Sequence, residues 1–133
     1  MKNDIHDLGL VLDSRVRLVI IESWQEPRVL ETIGSLAVQR AQTWYTWNHL
    51  DGLSRLGFGT DVDDEQDTRD PEIALETVRR SKEDALYVFC DLHPFLESPR
   101  IVRQLKSLAM SNDVSAPTLI LVSHAVTLPQ ELT

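Results

Sequence analysis

Four short, largely apolar segments alternate with amphipathic segments along this sequence, and the alternation constrains the possible folds more than any other feature. The apolar segments are residues 16–21, 43–47, 85–90 and 118–122. Their β-branched and aromatic residues are typical of strands, and nearly continuous apolar runs are typical of strands covered on both faces. The pattern predicts an α/β fold built from right-handed βαβ units. We expect a three-layer αβα domain with a mostly parallel sheet of about four to five strands.

The segments between these strands carry helix signals. Asp70 and Ser98 each precede a proline, which is the arrangement of an N-cap residue followed by proline in the first turn. Apolar residues recur at helical spacing after Glu26, and the first dozen residues also favour a helix. Residues 51–70, in contrast, are predicted to form a long loop. An acidic cluster lies in and just after this loop: Asp61, Asp63, Asp64, Glu65, Asp67, Asp70 and Glu72.

Length and charge limit the class of protein. The 133 residues are the length of one ordinary domain, so residues 1–133 are predicted to form a single unit. The net charge of −8 disfavours nucleic acid and anionic membranes as partners. Cys90 is the only cysteine, and its apolar neighbours favour a buried thiol in a reducing compartment. Because no apolar run has the length of a signal peptide or membrane span, we expect a cytoplasmic or plastid-stromal location.

Polar residues follow the predicted strands, and in an open parallel sheet ligands bind beyond the carboxyl ends of the strands. Imidazole and carboxylate groups suit several divalent metals, so a metal site is one interpretation. The other is that these side chains only cap the turns in which the strands end. The candidate polar cluster consists of Glu22, Asp91, His93, Ser123 and His124.

The turn after the first strand is where a phosphate-binding loop would lie. A Walker A loop requires glycines that expose backbone N–H groups and a lysine that contacts the phosphates. Residues 22–28 contain neither glycine nor lysine, Glu22 and Glu26 would repel phosphate, and Pro27 lacks an N–H group. We therefore expect no nucleotide binding at this turn. Asp91, which follows an apolar strand, occupies the place of a Walker B acid.

Two further features are candidates for protein contacts. Trp24 lies in a predicted turn and is a candidate exposed anchor at an interface. A positive stripe lies opposite the apolar face of the last full helix, where it is either a solvated surface or a partner of the acidic loop, in this chain or in a neighbouring copy. The candidate interaction residues are Trp24, Asp63, Asp64, Glu65, Arg100, Arg103 and Lys106.

Several motifs occur in an order that resembles one known protein family. Residues 18–23 precede Glu-Pro-Arg-Val at 26–29, and Asp-Leu-His-Pro-Phe-Leu at 91–96 is the most specific motif. Over nearly its whole length the chain resembles the N-terminal region of the AAA+ ATPases first named as a hypothetical chloroplast reading frame. The resemblance implies a degenerate P-loop, RecA-like fold with its four predicted strands in the order two-three-four-one.

The resemblance also implies a function. It points to a non-catalytic regulatory or partner-recruiting domain, with ATP and Mg²⁺ bound by an AAA+ module downstream and no cofactor, metal or catalytic residue in this chain. The implied partners are other copies in an AAA+ ring or another protein. By position, residues 22–28 correspond to a lost Walker A turn, Asp91 to the Walker B acid and Ser123 to the sensor residue.

Two alternatives from other classes stay open at this point. A receiver-like signalling domain would use Asp91 as phospho-acceptor near Glu22 and Ser123, although the lysine that follows a fifth strand in such domains is missing. It would place the first strand between the second and third. A small metal-dependent hydrolase would use Asp91, His93 and His124.

Overall fold

The computed structural model describes residues 8–56, 67–113, 115–124 and 130–132. These residues form a five-stranded sheet with helices on both faces. The elements are α1 Leu8–Asp13, β1 Leu18–Glu22, α2 Glu26–Gln39, β2 Trp44–Asn48, β3 Gly52–Leu56, α3 Pro71–Arg80, β4 Leu86–Cys90, α4 Pro99–Ala109 and β5 Thr118–Ser123, with 3₁₀ turns at His93–Phe95 and Gln130–Leu132. No helix in these ranges is long and apolar enough to cross a membrane.

The strand order in the sheet is β1-β5-β4-β2-β3. β1, β5, β4 and β2 are mutually parallel, whereas β3 runs antiparallel to β2. The four strands predicted from the sequence therefore lie in the order two-three-four-one, which confirms the expected order and the α/β class. β1 is an outer strand of the described sheet. The receiver-like alternative places this strand between the second and third predicted strands, so the observed order contradicts it.

The layers follow from the alternation of side chains along the strands. In β4 all five residues are buried: Val88 and its alternating neighbours face α1 and α2, whereas Tyr87 and Phe89 face α3 and α4. Burying a large apolar side chain stabilises the fold by about 1.5–3 kcal/mol. The apolar runs at 85–90 and 118–122 thus correspond to strands covered on both faces, whereas β1 and β2 bury only alternate residues fully.

The start of the predicted long loop is the one clear correction to the fold. Residues 52–56 form β3, joined to β2 by a turn in which Asn48 Oδ1 accepts hydrogen bonds from the backbone N–H groups of Leu50 and Asp51. Gly52 has φ +78°, a left-handed conformation that glycine adopts without strain. Leu53 is buried and donates its backbone N–H to Thr68 Oγ1 at 3.0 Å.

Of the rest of the predicted loop, residues 67–70 are irregular or in a turn as expected, whereas residues 57–66, with Asp63, Asp64 and Glu65, lie outside the described residues. Both predicted helix caps are present. The side chain of Asp70 accepts from Glu72 N at 2.9 Å, and Ser98 Oγ accepts from Ile101 N at 3.4 Å.

Candidate functional site at the carboxyl edge of the sheet

Strand register brings the predicted polar cluster to one edge of the sheet. Glu22 at the end of β1 is paired with Ser123 at the end of β5, and Cys90 at the end of β4 is paired with Val122. The backbone pairing continues beyond the strands, with Ser23 N donating to Ser123 O at 2.9 Å and Asp91 N donating to Val122 O at 3.0 Å. The ends of β1, β5 and β4 therefore form a continuous surface.

The turn between β1 and α2 is shaped by Ser23, whose Oγ accepts from Gln25 N at 3.0 Å. Glu26 is the first residue of α2 and places a carboxylate in the first turn of the helix. An anion approaching the helix N-terminus, where backbone N–H groups would otherwise favour it, meets this negative charge. The first turn of α2 therefore presents a negative charge where a phosphate-binding loop presents backbone N–H groups.

Cys90 lies beside this turn, and it is buried as the sequence predicts. Burial raises the pKa of its thiol above the usual range, and the nearby Glu26 carboxylate raises it further, both as a negative charge and as a hydrogen-bond acceptor. The thiol therefore stays protonated at neutral pH and is not a nucleophile.

An aromatic cluster, made of Trp24, His124 and His93, covers part of the edge. The side chain of Trp24 is 81% exposed. Its ring stacks on His124, with centroids 4.3 Å apart and an interplanar angle of 24°, and His124 meets His93 edge-to-face at 5.2 Å. The predicted exposure of Trp24 is thus present, and stacking fixes the orientation of its ring.

Asp91 and His93 approach each other without forming a hydrogen bond. His93 Nδ1 lies 3.9 Å from Asp91 Oδ1, beyond hydrogen-bonding distance, and this buried nitrogen has no hydrogen-bond partner among the described residues. Asp91 has φ +59°, a left-handed conformation tolerated by its short polar side chain, and its carboxylate is 60% exposed. Both groups therefore retain free bonding capacity.

The geometry does not make a metal centre of this cluster. Within the described residues, no three histidine, cysteine, aspartate or glutamate side chains are placed to hold a metal ion. Asp91, His93 and His124 are all described and do not form such a group. Among the described residues, the metal-dependent hydrolase alternative therefore has no set of side chains arranged to hold its metal.

The positive stripe lies on α4, away from the aromatic cluster. Arg100 pairs with Glu72 of α3, with Nε and Oε2 3.3 Å apart, while Arg103 is exposed and Lys106 is half-buried. The side chain of Arg103 has no hydrogen bond or ion pair with any described residue. Part of the stripe is thus already neutralised by α3, and its suggested contact with Asp63, Asp64 and Glu65 stays a prediction.

Sequence reasoning did not predict a cavity at the same edge, which lies beside the end of β2 and the start of α3. His49 Nδ1 lies 2.9 Å from Arg69 O, and its ring is 5.0 Å from Phe95. Arg69 and Phe95 also line this cavity. The sequence feature that could have indicated this cavity is the Pro-Phe pair of the 91–96 motif, because the Phe95 ring contacts His49. Asp67 also lines this cavity, and the hydrogen bond that it accepts from the Arg69 side chain lowers the pKa of its carboxyl group.

Comparison with known proteins gives a consistent result. The family model for the N-terminal domain of SpoVK-like AAA ATPases matches residues 4–133. The chain is similar to the uncharacterized AAA domain-containing protein ycf46 of Pyropia yezoensis, at 28% identity over 130 residues, which are 96% of this chain and 26% of that protein. It is equally similar to the protein of the same name from Guillardia theta, at 28% identity over 132 residues, 96% of this chain and 25% of that protein.

The chain thus spans about a quarter of the length of these curated relatives. No solved structure matches it significantly.

Proposed function

Because this chain belongs to the family of SpoVK-like AAA ATPase N-terminal domains, we propose that it is a non-catalytic regulatory or partner-recruiting domain. In this proposal ATP hydrolysis resides in an AAA+ module downstream, which also binds the ATP and Mg²⁺. The partners are other copies of the chain in an AAA+ ring, or a protein that the ring acts on. The proposed location is the cytoplasm or the plastid stroma.

The observation that carries the proposal is the turn from β1 into α2. In a P-loop fold this turn would wrap around phosphate with glycine N–H groups and a lysine. Here residues 22–28 carry Glu22 and Glu26, and the exposed Trp24 lies between them in the sequence. Two carboxylates disfavour a triphosphate at the place where such folds hold it, and this supports the proposal.

The strand order supports a degenerate P-loop, RecA-like origin for the domain. The order two-three-four-one is the one that the resemblance to AAA+ cores implies, and a parallel sheet of this order presents its strand ends to a ligand. A fold that keeps the topology and has lost the phosphate loop is suited to binding another molecule at the same edge. Function follows the site and not the fold, so the recruiting role rests on the exposed edge residues.

The test is calorimetry with Mg-ATP on this chain and, in parallel, on a longer protein that contains it together with the AAA+ module. We expect no measurable heat of binding for the chain and clear binding for the longer protein. A dissociation constant in the low micromolar range for the chain alone would overturn the non-catalytic assignment. Binding by neither protein would overturn the assignment of ATP hydrolysis to a downstream module.

A further inference from the structure

Trp24 is the most exposed aromatic side chain of the carboxyl edge, and its conformation is held in place. Ser23 Oγ shapes the turn by accepting from Gln25 N, and the His124 ring lies parallel to one face of the indole. With 81% of the residue exposed, the other face of the indole is open to solvent. A large apolar surface that is already ordered loses little entropy on binding, which is why tryptophan is common at binding hot spots.

Two exposed carboxylates, Glu22 and Asp91, belong to the same carboxyl edge of the sheet as Trp24. Glu22 is exposed and lies two residues before Trp24 at the end of β1. Asp91 reaches the same edge through the hydrogen bond of its N–H to Val122 O, and its side chain is 60% exposed. Neither Glu22 nor Asp91 is neutralised by an arginine or lysine among the described residues, since Arg28, the next cation along the chain, bonds to Gln25 Oε1 at 3.4 Å.

We propose that Trp24, Glu22 and Asp91 form a docking site for an arginine-bearing segment of a protein partner. The proposal rests on the recruiting role proposed above and names the chemistry of what is recruited. An arginine guanidinium of the segment stacks on the open indole face, and the negative charges of Glu22 and Asp91 along the same edge attract it. The carboxylates complement the charge of the guanidinium, and the flat indole ring complements its planar shape.

Arginine fits this arrangement better than other ligands do. Its planar guanidinium stacks on aromatic rings and donates two parallel hydrogen bonds to carboxylates, whereas the lysine ammonium is a compact, strongly hydrated charge. Nucleic acid carries the wrong charge for a surface with Glu22 and Asp91. A free side chain such as Arg103 of a second copy is the competing occupant, and the experiment separates the two.

The experiment titrates the chain with three synthetic peptides that differ only at two positions: Gly-Arg-Gly-Arg-Gly, its lysine counterpart and its uncharged citrulline counterpart. Binding is followed by NMR through the indole N–H signals. Trp47, whose buried Nε1 donates to Thr68 O, serves as an internal reference. We expect the Trp24 signal to shift with the arginine peptide, at least about threefold weaker binding of the lysine peptide, and no shift with citrulline.

Variants then locate the site. Trp24→Ala should weaken arginine-peptide binding about threefold to fivefold, Trp24→Phe should weaken it less, and Glu22→Gln with Asp91→Asn should weaken it about twofold to fivefold. Val38→Ala, an equally exposed apolar residue on α2, is the matched control and should bind like the parent chain.

Three results would overturn the docking site. They are no peptide binding at millimolar concentration, equal binding of the arginine and lysine peptides, or unchanged binding by Trp24→Ala. Self-association of the chain that is abolished by Arg103→Glu, together with a Trp24 signal that shifts on association, would assign the site to a second copy and not to a partner protein. Each of these results leaves the Mg-ATP test of the proposed function unaffected, so the two failures are distinguishable.

Discussion

Polar groups lie at both ends of the central strands, but two arginines at the amino ends have partners that several groups at the carboxyl ends lack. At the amino edge Arg17 is only 7% exposed, and its guanidinium donates to Ala116 O at 2.9 Å and to Asp113 O at 2.8 Å. Nearby, Arg40 donates to Gln42 Oε1 at 2.8 Å and forms an ion pair with Asp13. The hydrogen bonds and the ion pair of these side chains stabilise the contacts between neighbouring elements at this edge.

At the carboxyl edge the reverse holds. Trp24 is exposed, His93 Nδ1 is without a partner among the described residues, and Glu22 and Asp91 point toward solvent. Buried or converging polar groups that the fold does not satisfy are costly, and proteins retain them mainly where function requires it. The comparison therefore indicates a stabilising role for Arg17 and Arg40 at the amino edge, and it leaves the groups of the carboxyl edge available for the recognition proposed above.

The largest expected effect is at the amino edge. Arg17→Ala removes both donors from the carbonyls of Ala116 and Asp113, so we expect the free energy of unfolding to fall by about 2–4 kcal/mol. Urea denaturation measures this change. Arg15→Ala is the matched control, because Arg15 is exposed two residues away, and it should change stability by less than about 0.5 kcal/mol. Equal effects of the two variants would contradict the structural role of Arg17.

The second effect depends on pH. Burial raises the pKa of Tyr87 to about 12, and the nearby Tyr45 and Glu83 also raise it, while Ser81 opposes them by a hydrogen bond. In the unfolded chain tyrosine ionises near pH 10, so the protonated folded form is favoured. The stabilisation is complete below about pH 10 and is lost as the pH rises toward about 12, a change of about 2–3 kcal/mol.

Denaturant titrations of the parent chain and of Tyr87→Phe between pH 9 and 12 test this, with the pH range set by the pKa of Tyr87. Tyr87→Phe should lose stability less steeply, since it has no phenol to ionise. Cys90, whose pKa burial also raises, titrates in both proteins and cancels in the difference. Parallel pH profiles would mean that Tyr87 ionises as easily folded as unfolded.

At the carboxyl edge, in contrast to the amino edge, we expect one substitution to stabilise the protein. His93→Leu removes a buried nitrogen that no described residue satisfies, so we expect the free energy of unfolding to rise by about 0.5–1 kcal/mol. The control is His49→Leu, which breaks the 2.9 Å contact with Arg69 O and should lower stability by about 0.5–1.5 kcal/mol. Destabilisation by both variants would show that His93 is as structural as His49.

What the sequence predicts well is set by local chemistry. The caps at Asp70 and Ser98 need only a neighbouring backbone N–H, and the buried strands need only a continuous apolar run. β3 was missed because its short segment contains one clearly buried apolar side chain, Leu53, whose backbone partner Thr68 lies fifteen residues away. The strand-end cluster was foreseen as a set, since parallel strands end at one edge.

The contacts inside that cluster were not predictable in the same way. The stacking of Trp24 on His124 and the missing partner of His93 depend on the conformations of three separate turns. No periodicity in the sequence encodes those conformations.

The smallest expected effect concerns the positive stripe of α4 and the acidic residues Asp63, Asp64 and Glu65. Seven acids close together in the sequence repel one another, and a cationic surface on a neighbouring copy in a ring would relieve that repulsion. Arg100 already pairs with Glu72, whereas Arg103 is free among the described residues, so Arg103 is the better contact. Each exposed pair contributes only about 0–1 kcal/mol and is screened by salt.

Three variants of a longer protein that contains this chain together with the AAA+ module test the contact between Arg103 and the acidic residues. Arg103→Gln should weaken ring assembly or partner capture more than Arg100→Gln does, because only the former removes an uncommitted charge. Serine at positions 63–65 should weaken it in the same way, most clearly at low ionic strength, and should add little to Arg103→Gln if the two groups contact each other. Sedimentation velocity at low and high salt measures assembly. If neither change affects assembly or partner capture at low salt, the acidic residues act only to keep the domain soluble, and recognition is confined to the carboxyl edge.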